Sequence, residues 1–132
     1  MNKKIFKFNE NNVCLNPDEI IIGRHVMIQV AEYAGEWVSG HDYMFVNNGS
    51  GHPCSKRGEK HPNKMEAVKY EIKEIIQLIE NKIKLHKDTV WYQADIKRMK
   101  KSIKDLKQYL FDITPVQLSL FYNIKIESYG RV

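Results

Sequence analysis

Long apolar runs are missing from this 132-residue chain. That excludes a membrane-spanning helix, which needs about 20 consecutive apolar residues. The N-terminus, Met1-Asn2-Lys3-Lys4-Ile5-Phe6-Lys7-Phe8, lacks the apolar core and small-residue cleavage site of a secretory signal. Two cysteines, Cys14 and Cys54, are too few for a disulfide scaffold of this size. The expected environment is therefore a reducing cytoplasm, with no membrane partner. Catalytic signatures are also scarce. Gly49-Ser50-Gly51 is not followed by the Gly-Lys-Ser/Thr ending of a phosphate-cradling loop. Asp42 and Glu59 stand alone, whereas metal-dependent phosphodiester hydrolysis needs several converging carboxylates.

What the chain does have is a charge surplus confined to one segment. The net charge is +5. Residues 1–62 carry seven basic and seven acidic side chains, residues 63–111 carry twelve and seven, and residues 112–132 carry two of each. A local excess of this kind is the electrostatic footprint of a polyanion-binding surface. The competing reading is a lysine-rich solvated helix face.

The length suits one domain, 1–132, of α+β class. Residues 1–46 read as an antiparallel sheet of about four strands. Lys4–Phe8 alternates weakly, Ile20–Ile22 stops at Gly23, and His25–Tyr33 and Glu36–Val46 flank Ala34-Gly35 as a hairpin. Residues 47–62 hold three glycines and two prolines without apolar periodicity, and read as one long loop. Asn63, with Glu66 three residues on, then forms a capping-box start to a helix. Its apolar stripe is Val68, Ile72, Ile75, Ile79 and Ile83, widened by Ile76. A second helix, beginning after Asp88-Thr89 and running to about Phe111, carries Tyr92, Ile96, Met99, Ile103, Leu106 and Leu110 at heptad spacing. The two make a basic helical hairpin. Thr114-Pro115 ends it, and Tyr122–Glu127 alternates as a last short strand within the 112–132 segment.

Two basic groups are the candidate nucleic-acid contacts. Lys97, Lys101 and Lys104 recur at helical spacing with Arg98, Lys100 and Lys107 beside them. Lys56, Arg57 and Lys60 lie in the glycine-containing loop, where backbone can approach a phosphate closely. Trp37, Tyr43 and Phe45 share one strand face and would stack on unpaired bases if exposed, although such rings are more often core. His41, His52, Cys54 and His61, with Cys14 as a fourth candidate, suggest zinc. Their spacing departs from the paired Cys-x₂₋₄-Cys or His-x₃₋₅-His pattern of structural sites, so no metal and no cofactor are expected. Cys54 paired with His52 or His61 as a nucleophile has no further support, and no catalysis is expected.

Gln117-Leu118-Ser119-Leu120-Phe121 resembles the pentapeptide with which bacterial replication and repair proteins, and some phage proteins, dock on the sliding clamp. The resemblance implies that Leu120 and Phe121 are apolar anchors, that Gln117 fixes register, and that Leu118 lies between them. The order Trp37-Val38-Ser39-Gly40, a Gly/Pro loop, then Glu66-Ala67 opening a helix is similar to small accessory proteins of phages and plasmids. Both resemblances imply a bacterial host cell. The expected function is therefore non-catalytic: binding RNA or DNA, or a host complex that handles it. Inhibition of a defence nuclease, in the manner of anti-CRISPR proteins acting on a CRISPR nuclease, is one form of it. A clamp-binding accessory protein and a homodimeric interaction module built on the heptad hairpin are the alternatives.

Overall fold

Alternation of apolar side chains decides the sheet. The computed structural model describes residues 3–114. Four strands, β1 (Asp18–Ile22), β2 (Val26–Tyr33), β3 (Glu36–Met44) and β4 (Gly49–His52), form one antiparallel sheet in chain order. Val26, Ile28 and Val30 alternate onto one face, joined there by Tyr43 of β3. The β2–β3 turn is Ala34-Gly35, both at positive φ (53° and 81°), as a two-residue hairpin matched to strand twist requires. Tyr33 pairs with Glu36 across it, which sets the register of the sheet's longest ladder.

Two helices cover that face. Helix α1 (Lys64–His86) buries Ala67, Val68, Ile72, Ile75 and Ile79 against β2 and β3. Each fully buried isoleucine contributes about 1.5–3 kcal/mol, so this stripe fixes the helix in place. After a 3₁₀ turn (Val90–Tyr92), α2 (Gln93–Asp112) packs on α1 and on β1. Its heptad seam is spent inside the molecule. Tyr92, Ile96, Met99 and Leu106 are buried in the main core, with Ile103 and Leu110 packed against it. No helix among the described residues is long and apolar enough to cross a membrane.

The α+β class and the four-stranded antiparallel sheet agree with the sequence, but the strands are not all the expected ones. Lys4–Phe8 is no strand. It lies over the outer face of the sheet, held by the Asn16 side chain, which accepts from the Lys7 amide (2.7 Å) and donates to the Ile5 carbonyl (3.0 Å). A side chain thus supplies the partners that a neighbouring strand would. Phe6 and Phe8 pack there on a second small core of Cys14, Ala31, Val38 and Cys54. The fourth strand is β4, from within the expected loop. Gly40 lets the chain after it cross close by, because a Cβ at residue 40 would fall 2.4 Å from the Cys54 amide nitrogen. The expected last strand, 122–127, lies outside the described residues, as does the 117–121 motif.

Candidate functional site

Helix α2 presents its cations on the side opposite its buried seam. Lys97, Lys100, Lys101, Lys104 and Lys107 are exposed and Arg98 is partly so. At 100° per residue they span about half the helix circumference. Of these six, only Arg98 and Lys101 have carboxylate partners among the described residues, Asp95 (3.0 Å) and Asp105 (2.9 Å). The β1–β2 turn comes up beside them. Gly23, Arg24 and His25 join Lys97, Arg98, Lys101, Ser102 and Asp105 around a cleft of about 570 Å³. Arg24 is exposed at its rim. A shallower hollow of about 480 Å³ runs past Lys100, Lys104 and Lys107 to Phe111.

The loop cations lie elsewhere. The Lys56 ammonium sits over the rings of Tyr33 (4.2 Å) and Phe8 (5.0 Å), on the outer side of the sheet. Lys60 folds back onto the carbonyls of Lys56 and Gly58. Arg57 is exposed, its amide donating to Ser55. The loop and helix clusters thus stay two separate groups, because the helices take one sheet face and this loop lies on the other. Tyr43 and Phe45 are only 1% and 3% exposed, so neither ring is offered to a base. Trp37 is half-buried and wedged edge-on against Phe6. Trp91 and Phe111, near the two ends of α2, face solvent at 66% and 41% exposure.

A second arrangement lies on the helix-facing side of β3 and β4. Pairing of His41 with His52 puts both rings on the same side of adjacent strands, their centroids 4.5 Å apart. Glu71 of α1 points between them. Its Oε1 is 2.6 Å from His41 Nδ1 and 3.1 Å from His52 Nε2, and its Oε2 accepts from Ser39 Oγ at 2.7 Å. Burial pushes the Glu71 carboxyl up. The hydrogen bonds from His41 and Ser39 and the charge of the two imidazoles outweigh it and leave the group below its ordinary range. His41, Ser39 and Glu71 are buried, whereas the His52 side chain is 47% exposed.

Sequence spacing treated His41 and His52 as companions of Cys54 and His61, and the fold separates them. Cys54 Sγ donates to the Val38 carbonyl (3.5 Å) on the outer face. Burial, with Cys14 and Glu71 nearby, pushes its thiol up to about 12, far from the thiolate a nucleophile needs. His61 pairs by backbone with Trp37 and stacks at a tilt on Tyr70. Glu71 had escaped notice, as had Arg24 and His25. The available signal for Glu71 was its place on the apolar stripe, three residues after Val68 and four before Ile75. Comparison with protein-family models, with curated proteins and with solved structures returned no match.

Proposed function

We propose that this chain is a non-catalytic nucleic-acid-binding protein whose phosphate-contacting surface is α2, extended by Arg24 of the β1–β2 turn. The observation that carries it is the row Lys97, Lys100, Lys104 and Lys107, exposed and without a carboxylate partner among the described residues. A solvated helix face of ordinary composition would alternate its charges and cancel them. Here the acids of α2 do other work: Asp95 is buried under the β3–β4 loop, Asp105 holds Lys101, and Asp112 accepts from Gln108. The row from Lys97 to Lys107 is about 15 Å long, enough to meet several successive phosphates. Trp91 and Phe111 near the ends of the helix are placed to stack on unpaired bases, which favours RNA or single-stranded DNA.

The test is fluorescence anisotropy with labelled single-stranded RNA and DNA over a salt series. Each phosphate neutralised on a single strand contributes about 0.7 to the slope of log affinity against log salt. Replacing Lys97, Lys100 and Lys104 together by Gln is expected to flatten that slope by about two units. Thermal stability should hold, since exposed substitutions stay within about 0.5 kcal/mol. Affinity indifferent to salt and to the triple substitution would remove the proposal.

A further inference from the structure

The geometry points to a binding site for a divalent first-row transition ion, zinc foremost, formed by His41, His52 and Glu71. The three donors come from β3, β4 and α1, so the site exists only in the folded chain. Their ligand atoms lie within 4.8 Å of one another.

The carboxylate is oriented as a ligand carboxylate is. One oxygen, Oε2, is taken by Ser39 Oγ, leaving Oε1 turned towards both rings. His52 is oriented too. Its Nδ1 is 3.4 Å from the Pro53 carbonyl, a partner for the Nδ1 proton once a metal takes the Nε2 lone pair. Its Nε2 faces the Glu71 Oε1 carboxylate oxygen at 3.1 Å. At that separation a positive charge, either a proton or a cation, lies between the nitrogen and the oxygen. Outer contacts of this kind, a hydroxyl on the carboxylate and a carbonyl on the imidazole, are what orient ligands around bound metals.

Two imidazole nitrogens and one carboxylate oxygen suit zinc and its neighbours, while magnesium and calcium prefer all-oxygen sets. Donors about 2.0–2.2 Å from a tetrahedral ion sit roughly 3.3–3.5 Å apart. The rings must therefore draw back from Glu71 by less than about 1 Å. His52, half-exposed on the edge strand, gives way readily, and the fourth position on its side is left for water.

The experiment uses the full chain, stripped with chelator and titrated with zinc under calorimetry and native mass spectrometry. One ion per chain is expected, with a melting temperature that rises with zinc and does not respond to magnesium or calcium. Cobalt in place of zinc should give the visible bands of a tetrahedral site. His52→Ala opens no core cavity and should weaken binding at least about a hundredfold, and Ser39→Ala about tenfold, as loss of an orienting contact does. Cys54→Ser should bind as the parent does. Failure to take up one zinc, or uptake that survives His52→Ala, overturns the assignment. Loss on Cys54→Ser would overturn it equally, by pointing to a thiolate site. Neither result bears on the lysine row of α2.

Discussion

Two buried acids show how much a single residue decides in this molecule. Asp95 is fully buried, yet it is satisfied: it accepts from the amides of Val46 (3.1 Å) and Asn47 (2.6 Å), from the Asn48 side chain (3.2 Å) and from Arg98 (3.0 Å). One carboxylate on α2 thereby pins the β3–β4 loop to the helix layer. Orphaning buried donors costs about 1–3 kcal/mol each. Asp95→Ala is therefore expected to cost about 2–4 kcal/mol in chemical denaturation. It should also expose the amides of residues 46 and 47 to hydrogen exchange. Unchanged stability would show that water replaces the carboxylate without loss. Glu71 is the counterpart on α1, and its surroundings differ in kind. Asp95 is met mostly by backbone and amide donors that cannot leave, whereas Glu71 is met by two imidazoles that can exchange a proton for a metal.

At the scale of elements, the start of α1 shows a local signal read well but not completely. Asn63 Oδ1 accepts from the Glu66 amide at 2.9 Å, as the capping pattern requires. The return half of the box is not made, because the Glu66 carboxylate turns to Lys69 instead. One cap hydrogen bond remains. Asn63→Ala should cost about 1 kcal/mol, and Asn63→Ser should recover most of it. Equal melting of all three forms would show that packing alone sets the helix start. The heptad seam of α2 gives the opposite lesson. Its spacing is what a coiled coil with another chain would show, but α1 and β1 already occupy it. Periodicity states that a face is apolar and leaves open what covers it.

On the scale of the whole molecule, the sheet separates two surfaces of different character. The helices and the lysine row lie on one side, and residues 3–17 with the loop after β4 lie on the other. Asp18 links the two, its carboxylate held by Lys4 of the N-terminal segment (2.8 Å) and by Lys64 at the start of α1 (3.0 Å). Burial raises the Asp18 carboxyl, but the two ammonium groups more than offset it and hold it below the usual range. Because the folded-state value is depressed, this contribution is present above the unfolded carboxylate range, near 4. It fades as pH falls through the folded value beneath it. Asp18→Asn should thus be less stable than the parent at pH 7, by about 1 kcal/mol at most for a partly exposed network. The difference should close as the pH drops well below 4. A difference that is constant across that range would mean the carboxylate acts by shape and not by charge.

Sequence by itself determined the α+β class, the Ala34-Gly35 hairpin, the two amphipathic helices and the confinement of the charge surplus to them. Each of these is local, written in the period of apolar residues, the turn chemistry or a count of charges. It misassigned the first strand because alternation at Lys4–Phe8 does not reveal whether a neighbour or the Asn16 side chain meets the backbone. It missed β4 because Gly49–His52 has little side chain to show a pattern, and pairing with β3 alone makes it a strand. Only the tertiary structure decided which cations share a surface, sending the loop lysines to one sheet face and the α2 row to the other. Only it brought Glu71 to His41 and His52, residues 30 and 19 positions away along the chain. Spacing rules for ligands describe sites built within one hairpin or helix, and this one is assembled across three elements, where sequence distance carries no information about distance in space.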